Sequence, residues 1–585
     1  MTTSLARALG LCLLGFATAA RGAVFHIGCT GASEDDADLS AAIDFANDEQ
    51  DFPGPDTIVL ATGCQYTLGD ASNFWYGPNA LPPIQSTIII VGNGAKIVRD
   101  PALPADTSHA FRLFYVSGGL DGELPAGDLT LRDLTLAGGL AKGGDSRQGG
   151  GGAGMGGAIF NQGQLTLDSV TFTANTAQGG NTYVGSSPSG GGMGQDAQDT
   201  TGGGFGGTLP GGPYGGRGAP EGGGGGFTTN NGNAGSQGLG GGLGGLGGGA
   251  GSPGDGGDGA GFGQQLAGGD FGAGGASGGG IGGGGGQGFV AGSGGFGGGG
   301  GYGNIGGAGG FGAGGGAGGV GSGSAGIGGG TGATDGSSTS RGGGGAGMGG
   351  AIFNHTGTAT LTNCTLAGNS ANGGVTSSND GAGNGSGLGA AIFNLNGAVS
   401  ISFSTIAQNL LGQRDGTPAS SGLGDGSVFS LAYGNKIQDG TESVATLTIT
   451  NSIFYGTAEM SGAGNNDVVN DVVAGTSANN PGNTATMLFS GANVIGAIHN
   501  LATLDPGSTT PLTTDPVLGA LASNNAPNAP QTMSIGDGSS ALNAAIGNCP
   551  DVDERGAPRP ANGACDIGAY EAQPTDDWIF FNGFD

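Results

Sequence analysis

Four histidines, six cysteines and two acidic clusters are the residues of this 585-residue chain best suited to chemistry. A transition-metal site needs His and Cys at short fixed spacings. His26, His109, His355 and His499 each lack a His or Cys neighbour at such a spacing, so no such site is expected. Glu34-Asp35-Asp36-Asp38 and Asp551-Asp553-Glu554 could hold Ca²⁺ through carboxylate oxygens. The reading preferred for both is a solvated acidic turn, with no cofactor. A uronate lyase would need a cation beside a base. The basic residues Lys96, Arg99, Arg112, Arg132, Lys142, Arg147, Arg414 and Lys436 are dispersed instead. An inverting glycosidase would need several carboxylates facing outward together. Asp133 and Asp168 are near neighbours in the alignment given below, but later units place Thr362, Asn363, Ser402 and Phe403 there. No catalytic residue is therefore assigned.

The cysteines point to an exported protein. Arg7, the apolar run Leu9–Phe16 and the Ala17-Thr18-Ala19 cleavage pattern read as a signal peptide over 1–23. Five Cys follow it. Cys29 and Cys64 flank the first mature segment, and Cys549 and Cys565 flank a short loop near the end. Two disulfides are expected, each worth about 3 kcal/mol by loop closure. Cys364 is left over and reads as a small core residue, because nothing basic lies near it in sequence to form a thiolate.

Charge excludes one class of partner. Lys and Arg total 14 against 44 Asp and Glu, a net charge of −30. With no basic patch, nucleic acid is not an expected partner.

The elements that position these residues are repeats. GGGGAGMGGAIFN occurs at 149–161 and again at 342–354, with the looser GSGLGAAIFN at 385–394. Each AIFN leads into a similar window: LTLDSVTF, ATLTNCTL and VSISFSTI, joined by LTLRDLTL at 129–136 and LTITNSIF at 447–454. The first, third and eighth columns are apolar. The second column, at 130, 166, 360, 400 and 448, is Thr or Ser. Period-two alternation is a strand with one buried face. The inward column changes parity near the sixth position, which implies a bend. Like residues in like places of successive units predict stacked coils of about three short strands, an all-β, right-handed parallel β-helix. Asn161, Asn354 and Asn394, which close each AIFN, and Asn175, Asn369 and Asn409 are expected at coil turns. Variable loops should leave the coil at about 137–155, 178–348, 373–388 and 410–443.

Glycine marks the second of these loops. Gly supplies 148 residues, about a quarter of the chain against roughly 7% on average, and 81 of them fall within 201–350. The tract lacks a collagen period and large apolar residues for a core of its own. It reads as a flexible surface loop; the alternative is polyglycine-II-like strands laid side by side and pinned by the scattered aromatics Phe205, Tyr214, Phe227, Phe262, Phe271, Phe289, Phe296, Tyr302 and Phe311. The chain thus divides into a cap and first coils (24–177), a glycine-rich insertion (178–348), later coils (349–510), a C-terminal region (511–572) and an apolar tail (573–585).

GGAI at 156–159 and 349–352 with FTAN at 172–175 resembles the polymorphic outer membrane protein repeats. LAGN at 366–369 and IAQN at 406–409 are looser forms. The flanks, including DPVLGALASNNAPN (515–528) and DERGAPRPANGACDIGAYE (553–571), resemble bacterial β-helix proteins with a choice-of-anchor Q C-terminal region. The tail WIFFNGFD resembles short terminal sorting sequences. The resemblance implies a pectin-lyase-like right-handed β-helix, secreted or displayed at the cell surface, with outer-membrane attachment through the C-terminal region. Unlike the polymorphic proteins, the chain shows no series of barrel strands after residue 454. The expected function is a non-catalytic, adhesin-like scaffold facing an unknown surface or carbohydrate ligand. A polysaccharide lyase or hydrolase is the alternative. An ice- or crystal-binding face on the Thr column is a further one.

Overall fold

The computed structural model describes residues 22–29, 34–119, 124–185, 188–198, 201–207, 281–334, 340–376, 381–413, 425–433, 443–459, 465–473, 482–561 and 563–574. The signal segment, the tract 208–280 and the apolar tail from 575 lie outside them, as do the side chains of Glu34, Asp35 and Asp36.

The alternating windows stack as the main wall of a parallel β-helix. A fifteen-stranded sheet runs through Asp56–Leu60, Thr87–Arg99, Asp128–Ala137, Gln164–Thr173, Thr358–Thr362, Ala398–Ser402, Val444–Thr450 and Thr484–Ser490. All its pairs are parallel, in the register of the sequence columns: Thr166 pairs with Thr130 and Thr360, and Ser400 with Thr448. The IFN segments form a second, seven-stranded wall, with Ile159, Ile352, Ile392 and Val428 in register. The interior holds the first and third columns of the windows, Leu129–Leu165–Ala359–Val399–Leu447 and Leu131–Leu167–Leu361–Ile401–Ile449, then the sixth and eighth, together with Ile159, Ile352, Ile392 and Val428. Helix Glu34–Ala46 covers the first coils with Leu39, Ala42 and Ile43, beside the Cys29–Cys64 disulfide.

The coil is longer than three strands. Leu140–Lys142, Thr176–Gln178, Ser370–Gly373, Leu410–Gln413 and Ala458–Glu459 make a further parallel sheet, and Gly154–Met155, Gly347–Met348 and Gly387–Leu388 another. The expected loops at 137–155 and 410–443 are therefore partly ladder: the first begins and ends in strands, and the second begins with Leu410–Gln413 and contains Val428–Tyr433 of the second wall. The two- to four-residue length of the short strands hid them from a period-two search, and Val428–Tyr433 lacks the AIFN signature.

Corners recur where the backbone goes left-handed. The fifth column, Asp133, Ser169, Asn363, Phe403 and Asn451, has φ between 46° and 58°. This column supplies the expected bend. The tenth column, Gly138, Ala174, Gly368, Gln408 and Gly456, is left-handed too. Only Gly and Asn adopt this region cheaply, so Phe403 and Gln408 are held there by the stacking around them.

Asparagine ladders run up two corners. Asn161 Nδ2 donates to Asn354 Oδ1 at 2.6 Å, Asn354 to Asn394 at 2.8 Å, and Asn394 to the Ser430 hydroxyl at 3.1 Å. Asn175 donates to Asn369 at 3.0 Å, Asn369 to Asn409 at 3.1 Å, and Asn409 to Ser427 at 3.0 Å. Each amide also donates to backbone: Asn369 to Phe172 O, Asn409 to Leu366 O. All six are buried. Replacing Asn369 by Ala strands the Asn175 amide and the Phe172 carbonyl, at about 1–3 kcal/mol for each unmet buried group. Asn369→Ala is expected to lower the urea midpoint clearly, whereas Thr360→Ala, on the half-exposed face, stays within about 0.5 kcal/mol of wild type. Equal losses in the two unfolding curves would contradict the ladder's role.

Candidate functional site

Strand alternation sends the Phe of each IFN outward, away from the interior that its Ile fills. The rings stack coil on coil. Centroid separations are 5.0 Å for Tyr76–Phe160, 5.1 Å for Phe160–Phe353, 5.4 Å for Phe353–Phe393 and 5.2 Å for Phe393–Phe429. A surface column of this size would be an exposed apolar patch, yet every ring in it is buried. Its cover is the glycine tract.

Residues 281–334 are packed, and the flexible reading fails for them. They carry a fifteen-residue repeat with the apolar anchors Ile281, Phe296 and Phe311, then Ile327 after sixteen. A left-handed glycine follows each anchor: Gly282, Gly297, Gly312 and Gly328, at φ 73–80°. Phe296 and Phe311 stack at 5.4 Å and reach the column: Phe296 lies on the His355 ring at 5.3 Å, and Phe311 contacts Tyr433 at 5.3 Å and Phe393 at 6.3 Å. Phe205, from the start of the tract, packs on Tyr76 at 6.0 Å. Met155, Met348 and Leu388 fill the same second core. The fifteen-residue period was present in the sequence, but the glycine excess around it concealed the anchors.

Between anchors, consecutive amides donate in three directions. Gly150 N donates to Gly300 O, Gly151 N to Gly343 O and Gly152 N to Gly144 O, at 2.7–2.9 Å. Gly299, Gly300 and Gly301 donate to Gly191, Gly314 and Gly292; Gly314, Gly315 and Gly316 donate to Gly151, Gly330 and Gly307. A chain with three residues per turn and no internal bonds directs successive amides this way, which is the polyglycine-II-like alternative. At the tightest of these positions no direction is left for a side chain. A Cβ on Gly150, Gly299, Gly314 or Gly343 would stand well inside 3.0 Å of a neighbouring carbonyl oxygen. Gly321 instead meets nothing within 4 Å. Gly314→Ala is therefore expected to speed hydrogen exchange and proteolysis across 281–334, and Gly321→Ala to leave both unchanged.

Two ionisable groups lie buried at this seam. Arg112 donates from Nε to Met155 O at 2.6 Å and sits 5.2 Å from the Phe160 centroid; burial lowers its pKa to about 9. Tyr115 OH donates to Gln162 Oε1 at 2.8 Å, and Gln162 Nε2 approaches His355 Nδ1 at 3.0 Å. Burial lowers the His355 pKa to about 3. An unfolded His titrates near 6.5, so the unfolded state binds the proton first. His355 therefore contributes no loss above pH 6.5 and about 1.4 kcal/mol of destabilisation per unit as pH falls from there toward 3. Leu395 occupies this position in the next coil. His355→Leu is expected to flatten the acid limb of a stability–pH curve relative to wild type, while costing about 1 kcal/mol at pH 7 through the lost Gln162 bond.

The remaining sequence candidates are placed as follows. Cys29 pairs with Cys64 and Cys549 with Cys565; Cys364 is buried in the interior, where desolvation raises its pKa well above the usual thiol value. Asp133 and Asp168 are close enough for Asp168 to add to the upward shift that burial gives Asp133. The coils above carry Thr362 hydrogen-bonded to Ser402 at 3.1 Å instead of further carboxylates. The Thr column lies in register on a partly exposed face between Ile89 and Leu488.

In the acidic turn Asp551-Asp553-Glu554 the solvated reading holds for the exposed Asp551 and fails for Asp553 and Glu554, which are buried. Asp553 Oδ2 binds Arg555 at 2.8 Å and accepts the Glu571 amide at 2.9 Å, and Arg555 stacks on Tyr570 at 3.7 Å. Arg559 pairs with Glu571 at 3.3 Å. Glu554 reaches the coil wall, where the Thr171 and Thr365 hydroxyls donate to it, and burial raises its pKa. Thr405 accepts the Ala569 amide at 3.1 Å. Asp553 and Glu571 hold the C-terminal region together, while Glu554 and the Ala569 amide fasten it to the third-strand column. Sequence spacing could not show the fastening, because the Glu554 partners on the coils lie 189 and 383 residues away.

One cavity of about 440 Å³ opens between the first coils and the tract, lined by Phe74, Phe111, His109, Asp70 and Asp196. His109 Nδ1 is 2.7 Å from Asp106, both exposed. Among the described residues no group of three or more His, Cys, Asp or Glu is arranged to hold a metal ion. Compared with known proteins, the chain matches no family model, no curated protein and no solved structure.

Proposed function

We propose that the protein is an exported, non-catalytic, adhesin-like scaffold whose coils hold the glycine body out as a stiff display surface. The observation that carries this reading is the anchoring of that body. Phe296 and Phe311 continue the coil's own phenylalanine column, so residues 281–334 are fixed to the solenoid. A mere connection between coils would not need this.

The two disulfides support an oxidising compartment. The leader pattern at 1–23 and the resemblance of the C-terminal region to choice-of-anchor sequences support attachment at the outer face of the outer membrane. Buried pairing of the C-terminal carboxylates, and the hydroxyls that follow Asp133 and Asp168, give no support to a hydrolase.

Export is tested by the thiols. The mature chain has five Cys, four of them in disulfides. Protein taken from the cell exterior should show one alkylated Cys by mass spectrometry when denatured without reductant, and five after reduction. Its N-terminus should lie near residue 20–24. An uncleaved chain with five free thiols, confined to the cytoplasm, would overturn the reading, as would depolymerisation of an acidic polysaccharide by the pure protein.

A further inference from the structure

The strand Val24–Ile27 stands at one end of the main wall, paired in parallel with Asp56–Leu60. The Cys29–Cys64 disulfide holds the chain just beyond its far end. At its near end stands one carboxylate. Asp56 is fully buried, and its Oδ1 accepts the Ala23 N–H at 2.5 Å, while Thr57 N donates to Ala23 O at 2.9 Å. The other carboxylate oxygen, Oδ2, is buried with no partner.

A single amide donor does not account for this residue. A neutral acceptor would satisfy an amide, whereas burying a carboxylate with one oxygen unmet costs free energy. Burial raises the Asp56 pKa, and the negative charge of Glu49 adds to that. The place calls for a positive charge with more than one donor. One group already there acquires both: the Ala23 nitrogen, once the peptide bond before it is cut.

The leader has the residues for that cut. Besides Ala17-Thr18-Ala19, the triplet Ala20-Arg21-Gly22 places small residues at the two positions that define an A-x-A-like cleavage site. Gly22 runs so close to Pro55 that a Cβ on it would stand well inside 3.0 Å of the Pro55 carbonyl oxygen. A cut after Ala19 leaves a residue in that gap, and a cut after Gly22 clears it.

We infer that the leader is removed between Gly22 and Ala23, and that the new amino terminus is the ionic partner of Asp56. Water adds across the peptide bond: Gly22 leaves with the carboxylate, and Ala23 keeps the nitrogen as an ammonium. Three N–H donors and a charge then face both Asp56 oxygens, where the precursor offers one neutral amide. Processing thereby locks the first coil. This inference rests on the export reading.

The exported protein, sequenced from its N-terminus, should begin at Ala23. Its amino group is then acylated at pH 8, a reaction of the neutral amine alone. A free α-amino group titrates at about 8, and the Asp56 carboxylate holds this one charged. Wild type should therefore label at least about tenfold more slowly than Asp56→Asn, one pKa unit or more, with lysine labelling equal in the two. Hydrogen exchange compares two oxidised chains released from a cleavable fusion, one starting at Ala23 and one retaining Gly22. Retaining Gly22 should speed exchange over Val24–Ile27 at least about tenfold. Asp56→Asn should do the same to the Ala23 form, and the two changes together should add little beyond either. An exported chain that begins at Ala20, equal labelling of wild type and Asp56→Asn, or a retained Gly22 without effect on exchange would overturn the inference. Each of these leaves the protein exported with its disulfides. Failure of the export reading would show instead as an uncleaved chain in the cytoplasm.

Discussion

The hydrogen-bonded rise from one coil to the next, about 4.8 Å, sets each side chain directly above its counterpart in the coil before. Whatever a column contains must tolerate contact with itself. Asparagine does, because its amide is a donor at one end and an acceptor at the other, and two buried ladders result. Phenylalanine does, because offset rings at 5.1–5.4 Å attract. Carboxylates do not, which suits a wall where Asp168 is followed by Thr362, Ser402 and Thr450.

The glycine body obeys the same constraint in two dimensions. A β-ladder spends its hydrogen bonds sideways and leaves the faces to side chains. In the described glycine runs, such as Gly299–Gly301 and Gly314–Gly316, successive amides point in three directions, and neighbouring backbone carbonyls occupy the places a side chain would need. Many direct backbone bonds replace a hydrophobic core. Ile281, Phe296, Phe311 and Ile327 act as anchors on the apolar column that the solenoid turns outward.

Ionisable groups that might have suggested chemistry are instead absorbed by the assembly. Arg112 and His355 are sealed under the tract, and the Asp553–Arg555 and Arg559–Glu571 pairs lock the C-terminal region to itself. Glu554 carries that region onto hydroxyls of two different coils. Removing water from these groups costs free energy, and each is offset by directed hydrogen bonds or an aromatic face.

By itself the sequence determined the solenoid. Period-two columns with identical neighbours across five windows bury their apolar face by parallel stacking, and a bend near the sixth column and the internal Cys364 follow from that register, while the disulfide partners follow from the Cys positions at the two ends of the chain. It did not determine that the glycine segments are a packed body, that short glycine strands extend each coil, or that the acidic turn at Asp553-Glu554 is buried. Those outcomes depend on which backbone lies beside which. A glycine carries no side chain to record its neighbour, and Glu554 finds its partners on coils far away in the chain. Only the tertiary structure brings Gly150 between Gly191 and Gly300, and Glu554 between Thr171 and Thr365.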